Sequence, residues 1–430
     1  MRKFKKRVIF AAIITVALIL SVTLAACTTK TTSSQWVAEI ISEYYYTDVA
    51  ITDADTLTLD EIVAKYLDRY SVYYTAEEYA ELLYGNAGNS VSYGAGIVFL
   101  PGEGAVIISC IGNSPAWKSG IRVGDVIAYA VIDGKMTEID SSEAMEEFSS
   151  ATADGSCTQF TLANGLEVKL ETYSQYKQSY VLLATNTTAW YFTFDGLTMQ
   201  ESPSDAIPSL PDGTAYIGLS EFSGDADKQF QFAVEKFNSL GCDSLILDLR
   251  SNPGGELDIT GEIAACFANI AGKTLLTAKG KAVNDTYTCP VLKEEFTLKD
   301  GIDVTVMANS GTASASEVLM GALLDYKVIS YSDIYLSDYT DSYLALAGEG
   351  AKTASTYGKG CMQYIIPNSS TGEALRLTAA ILYWPNGNCI NERGITKADG
   401  CNVVSAPYPS SAVNEELDQV IAATAIPAAA

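Results

Sequence analysis

Three serines crowd one short stretch, Ala308-Asn309-Ser310-Gly311-Thr312-Ala313-Ser314-Ala315-Ser316-Glu317. The preceding run, Val304-Thr305-Val306-Met307, reads as a buried strand, and the following Val318-Leu319-Met320-Gly321-Ala322-Leu323-Leu324 reads as a helix. A small-residue turn between strand and helix presents a hydroxyl on a sharp corner. The free N–H groups of the helix N-terminus there face any developing negative charge. The same residues also spell an N-cap serine, with Glu317 completing a capping box. Local sequence alone does not separate a cap from a nucleophile.

A serine nucleophile needs a base, and the chain contains 0 histidines in 430 residues, so no Ser-His-Asp arrangement can form. Lysine can replace histidine where burial or nearby dipoles lower its pKa. Lys359 is the candidate: it lies between glycines in Thr356-Tyr357-Gly358-Lys359-Gly360, just before an apolar strand over 362–366. An isolated lysine is otherwise a solvated charge. A second turn adds backbone chemistry. The strand Ser244-Leu245-Ile246-Leu247-Asp248-Leu249 closes on Arg250-Ser251-Asn252-Pro253-Gly254-Gly255. A Gly-Gly turn leaves N–H groups unshielded, fit for an oxyanion or for an ordinary strand–helix corner.

The elements that must hold these residues alternate. Over 214–405, strands such as Ala215-Tyr216-Ile217-Gly218-Leu219 alternate with helices such as 225–240, which predicts an α/β core of βαβ units with parallel strands. Residues 35–89 read as a helical region, with Trp36, Val37, Ile40, Ile41 and Tyr44 at helical spacing. Its aromatic density fits core packing first and self-association as a homo-oligomer second. Residues 90–172 carry short strands, glycine turns and an Asn164-Gly165 hairpin. The core is assigned 173–410, and residues 411–430 are a tail in which 413–423 read as a last helix.

Two resemblances follow from these motifs. Ser114-Pro115-Ala116, with Gly120-Ile121-Arg122-Val123-Gly124-Asp125-Val126-Ile127, resembles a PDZ domain of the bacterial protease type. That implies capture of a peptide C-terminus as an added strand, its carboxylate held by Tyr93, Gly94, Ala95, Gly96 and Ile97. Residues 214–405 resemble the catalytic domain of the C-terminal processing peptidases, or tail-specific proteases. The carriers are 245–255, Thr312 to Glu317, Tyr357 to Gln363, Leu375 to Ala380, and Gly394-Ile395-Thr396. The resemblance implies Ser314 as nucleophile, Lys359 as general base and Gln363 as the residue that positions the lysine. It implies an oxyanion hole from the Ala315 N–H and the turn at Gly254 and Gly255. Ser310 and Ser316 are alternative nucleophiles by chemistry; motif position favours Ser314. The Ser-to-Lys segment is longer than the family's, and 331–350 reads as an insertion rich in Tyr, Asp and Ser.

Charge and leader bound the setting. The net charge is −25, and removing residues 1–26 takes away five basic residues and no acid, leaving about −30. Nucleic acid is therefore an unfavourable partner. Residues 1–7 are basic, 8–23 apolar, and Leu24-Ala25-Ala26-Cys27 resembles a bacterial lipobox. We expect a signal peptide over 1–26, lipidation of Cys27, a tether over 27–34 and an extracytoplasmic body on the cell membrane. No C-x-x-C pair occurs, so no metal is expected, nor any organic cofactor. Cys389 and Cys401 flank a turn-rich segment and are the one candidate disulfide. The expected function is a Ser-Lys-Gln endopeptidase acting on protein or peptide substrates whose C-termini the PDZ domain captures, or whose access to the site it gates. The alternative is a weak or inactive PDZ-bearing scaffold.

Overall fold

The computed structural model describes residues 33–53, 56–86, 89–90, 93–100, 104–154, 157–169, 176–192, 197–338, 354–405 and 412–424. The leader, Cys27 and most of the tether lie outside the described residues. Chain contacts divide the rest into two compact units. One holds the described residues up to Leu83 with Ala278–Asn284 and Cys361–Ile381; the other holds Tyr84–Thr277, Asp285–Gly360 and the described residues from Leu382 onward.

The larger unit is built on an eight-stranded sheet. Its strands in chain order are β1 (Val181–Ala184), β2 (Ala189–Phe192), β3 (Met199–Ser202), β4 (Thr214–Leu219), β5 (Ser244–Asp248), β6 (Asp303–Ala308), β7 (Ile334–Ser337) and β8 (Asn402–Val404). They lie in the order β3-β2-β1-β4-β5-β6-β7-β8. The first three joints are antiparallel and the rest parallel. The parallel strands are buried on both faces, which is why they read as near-continuous apolar runs. Tyr216, Ile246 and Met307 face one side, against Leu417, Val420 and Ile421. The covering elements are α1 (Ala226–Leu240), α2 (Leu257–Ala264), α3 (Ala315–Asp325) and α4 (Ala412–Thr424). α1 packs on α2, and α2 on α3, with Phe230, Phe237 and Phe267 fully buried.

This topology sets two turns side by side. In β5 and β6, Asp248 stands opposite Met307. The chain then leaves β5 through Arg250 to Gly255 and leaves β6 through Asn309 to Ser314, both at the carboxyl edge, where open α/β sheets bind ligands.

A strand not expected from the sequence falls within the stretch 331–350 that reads as an insertion: Ile334 and Leu336 are fully buried in β7, a parallel strand beside β6. Two apolar residues alternating within a Tyr-, Ser- and Asp-rich run carried that strand, and composition hid them. Residues 339–353 lie outside the described residues. The Cys389–Cys401 pair does not form; all eight cysteines among the described residues are free. Cys389 is exposed while Cys401 is buried, and burial pushes the Cys401 thiol up to about 12.

The same unit contains a six-stranded antiparallel sheet over residues 95–169, with its own core of Ile107, Ile121, Ile127, Phe148 and Phe160. Arg122 ties it to the larger sheet by pairing with Asp205 at 2.9 Å.

In the smaller unit, Ser33–Tyr44 and Leu59–Tyr66 are helices. They pack Val37, Ile41, Ile62 and Val63 against Leu375 and Leu377. The strand Ala374–Tyr383 pairs antiparallel with Val72–Tyr74 and with Cys361–Pro367, where a bulge falls between Met362 and Gln363.

The serine-bearing helix fits closely over Trp384. A Cβ on Gly321 of α3 would lie 2.2 Å from that ring. Gly321→Ala is expected to lower unfolding stability by about 1–3 kcal/mol through overpacking, read as a shift of the urea midpoint.

Candidate active site

The turn after β6 is held from within and from its neighbour. The Thr312 hydroxyl donates to the Leu249 carbonyl at 2.8 Å, and the Ala313 N–H donates to the Asn252 carbonyl at 3.0 Å. The Asn309 side-chain oxygen accepts the Ser251 N–H at 2.8 Å and the Gly311 N–H at 2.9 Å. Asn252, Asn309 and Thr312 are each 0% exposed, so these polar groups satisfy one another where water does not reach.

Ser314 closes the turn as the N-cap of α3, with φ +56° and ψ −116°. That backbone is unfavourable for any residue bearing a Cβ, at a cost on the order of 1–3 kcal/mol. A strained serine on a strand-to-helix corner is the geometry that lifts a hydroxyl out of the fold. Ser316 is engaged differently: its hydroxyl donates to the Asn252 carbonyl at 3.1 Å, and it is 0% exposed. Ser310 lies early in the turn, four residues before the helix N-cap. Ser314 alone joins strained backbone to the first N–H groups of α3, of which Ala315's has no intrahelical acceptor.

Gly254 presses against this corner. Its φ is +99°, and a Cβ there would lie 2.7 Å from the Ala315 nitrogen and 2.8 Å from the Ser314 Cβ. Glycine is required both by conformation and by space. The Gly254 N–H is engaged by the Asn252 side-chain oxygen at 2.9 Å. Gly255 bridges to Phe222, whose N–H donates to the Gly254 carbonyl at 2.9 Å.

Glu317 joins the serine to the lysine. It is 0% exposed, and its two oxygens accept four hydrogen bonds. Oε1 takes the Thr356 hydroxyl at 2.6 Å and the Gly358 N–H at 2.8 Å. Oε2 takes the Ser314 N–H at 3.0 Å and the Lys359 N–H at 2.9 Å. The Ser314 and Lys359 nitrogens share one acceptor and so stand within about 6 Å of each other, a span a lysine side chain covers. A further bond, Tyr357 N–H to the Thr312 carbonyl at 3.0 Å, lashes the segments together. Burial raises the Glu317 carboxyl pKa, and the four donors pull the other way. Since every partner donates, the pocket is built for the ionised form. Gly358, at φ +88°, has room for no side chain, because a Cβ would lie 2.8 Å from the Gly394 nitrogen. Lys359 itself is half-buried.

Gln363 belongs to the smaller unit, at the bulge, where its amide donates to the Cys361 Sγ and the Thr378 Oγ1, each at 3.3 Å. Bulges re-aim single side chains. In the six-stranded sheet, Ala95–Leu100 is an edge strand. The Tyr93 and Gly94 carbonyls accept the Ala116 N–H at 2.9 Å and the Ile111 N–H at 2.8 Å, and Tyr93, Ala95 and Ile97 rest on the sheet's core. Among the described residues, no group of three His, Cys, Asp or Glu side chains could hold a metal, and no helix is long and apolar enough to cross a membrane.

Glu317 was legible only as a cap, and its grip on Thr356 and Lys359 was not. Glu317→Ala would strand four buried donors. It should cost about 3 kcal/mol or more, read as a lowered urea midpoint with an unchanged denaturant slope.

Comparison with known proteins finds similarity over much of the chain. The model for peptidase family S41 matches residues 213–330, which include Gly254, Gly255, Ser314 and Ala315. A chloroplastic C-terminal processing peptidase of Tetradesmus obliquus is 26% identical over 336 residues, 76% of this chain and 64% of the relative. A Staphylococcus aureus protein named a probable CtpA-like serine protease is 26% identical over 365 residues, 84% of this chain and 62% of that one. The match thus spans less than two thirds of the length of these relatives. A solved Bacteroides fragilis structure, named as an S41 protease, shares the fold with TM-score 0.60 at 13% identity, covering 90% of this chain and 95% of that one. The chain is therefore similar to C-terminal processing peptidases, and the match to the peptidase family S41 model lies over residues 213–330.

Proposed function

We propose that this chain is an extracytoplasmic serine endopeptidase. Ser314 attacks the scissile carbonyl and Lys359 accepts its proton. Lys359 returns that proton to the leaving amine, and water then hydrolyses the acyl-enzyme. Gln363 positions the lysine. The Ala315 N–H and the glycine turn receive the oxyanion, with Gly254 supplying the space and Gly255 the amide not already held by Asn252. The observation that carries this reading is the shared Glu317 oxygen, which sets the Ser314 and Lys359 backbones within lysine reach.

The unit over residues 90–172 acts as a PDZ domain. Its edge strand Ala95–Leu100 offers a row of backbone groups to the C-terminal tail of a protein substrate. Cys27 carries the lipid that holds the body on the outer side of the cell membrane, as the basic, apolar and Leu-Ala-Ala-Cys segments favour. Substrates are exported or membrane-attached chains.

The test uses the full chain with an unfolded protein as substrate, followed by gel and mass spectrometry. Ser314→Ala and Lys359→Ala should each lower kcat by about a thousandfold or more. Gly254→Ala should lower it about a hundredfold or more by filling the oxyanion space. Cleavage surviving both the Ser314 and the Lys359 substitution would sink the mechanism. A parent chain with no turnover would leave a PDZ-bearing scaffold as the better reading.

A further inference from the structure

The oxyanion turn is anchored on its far side by a buried ion network that reaches the C-terminal helix. Arg250 is the residue that leads into Ser251 to Gly255. Its guanidinium Nε and Nη2 bond the Asp248 carboxylate at 3.0 and 2.6 Å. Its Nη1 turns the other way and bonds Glu416 Oε2 on α4 at 2.7 Å. Ser337 on β7 donates to the same oxygen at 2.7 Å, and Tyr216 on β4 donates to Asp248 at 2.8 Å. The Arg250, Asp248 and Glu416 side chains are 6%, 7% and 2% exposed.

Packing alone does not call for Glu416. Leu417, Val420 and Ile421 already seat α4 on the sheet, and an apolar residue at 416 would avoid burying a charge. The second Glu416 oxygen is buried without a hydrogen-bond partner, which adds to the cost of keeping a carboxylate there. A fold that retains such a group gains in geometry instead. Asp248, at the end of β5 two residues before Arg250, is a local partner and does not tie Arg250 to distant elements. Glu416 and Ser337 come from elements far away in the chain, and they can. Beyond Arg250 the backbone enters the left-handed region at Ser251, φ +58°, and three residues later reaches Gly254, which presses on Ser314.

We propose that Glu416 is a positioning residue for the reaction: through Arg250 it holds the Ser251–Gly255 turn against Ser314, which makes the C-terminal helix part of the catalytic apparatus. The inference rests on the serine endopeptidase reading. It predicts that loosening one carboxylate on α4 slows chemistry more than it weakens substrate binding.

The experiment compares the full chain with Glu416→Ala, Glu416→Gln, Ser337→Ala and, as an exposed control on the same helix, Asp418→Asn. The readouts are kcat and KM on an unfolded protein, thermal unfolding, and amide hydrogen exchange. Glu416→Ala should lower kcat tenfold or more with KM within twofold, at a temperature where the variant is fully folded. Exchange over 251–255 should rise at least tenfold while that of α1 is unchanged. Glu416→Gln keeps an acceptor for Arg250 and should recover kcat to within threefold of the parent, and Asp418→Asn should match the parent. Unchanged kcat in Glu416→Ala would overturn the proposal, as would a loss matched by faster exchange throughout the chain. Should Glu416→Ala not fold, Ser337→Ala carries the test: a severalfold fall in kcat supports the proposal and parental kcat overturns it. If the parent itself shows no turnover, the endopeptidase reading fails. The exchange at 251–255 then decides separately whether Glu416 holds the turn.

Discussion

The site depends on one buried carboxylate. Withdrawing Glu317 from water costs several kcal/mol unless its lone pairs are met. Four donors from two segments, more than forty residues apart in sequence at the extreme, meet them. Neither segment satisfies the charge alone. The arrangement is therefore close to all-or-none: the serine corner and the lysine loop are held together, or a charge lies buried without partners. That coupling also accounts for how Ser314 can keep an unfavourable backbone. The strain on one residue is offset by bonds that would all be lost if the corner relaxed.

A second buried network has the same logic on the other side of the Gly254–Gly255 turn. Glu317 ties the serine corner forward to the lysine, and the Arg250 pair ties the glycine turn back to β7 and α4. Between them, Asn252 and Asn309 stitch the two turns to each other through backbone groups. These residues are polar and buried, and sheet packing alone would prefer apolar side chains there. Their chemistry is spent on holding three chain segments at fixed spacing, which is what a site without histidine needs. A lysine base has a long flexible stem, and its usefulness rests on where its backbone is fixed.

Much of this was legible beforehand, and the reasons for the rest are physical. The parallel strands announced themselves because both their faces are buried. The corner at Ser314 was legible as small residues between a strand and a helix. The capping box forms and does more than cap: Glu317 accepts the Ser314 N–H as a cap does, and its other bonds reach the segment that carries Lys359. A sequence window of four residues carries the local bond and holds no trace of the distant ones. β7 was missed because two inward residues in a short strand leave composition dominated by its polar neighbours. The suggested disulfide failed on exposure, since spacing along the chain says nothing about which way Cys389 and Cys401 face.

The hub also resolves a difficulty posed by the long connection between the serine and the lysine. Closing a longer loop costs only about 0.6 kcal/mol for each doubling of its length. Length therefore matters little if the loop's landing point is specified. Thr356, Gly358 and Lys359 specify it: each places one group on Glu317, and Thr356 also accepts the Ile395 N–H at 2.7 Å. The register of the lysine is thus set by hydrogen bonds where the chain arrives, and not by how many residues it took to get there. The strand-to-helix corner itself carries the acceptor, Glu317, that receives the segment bearing Lys359.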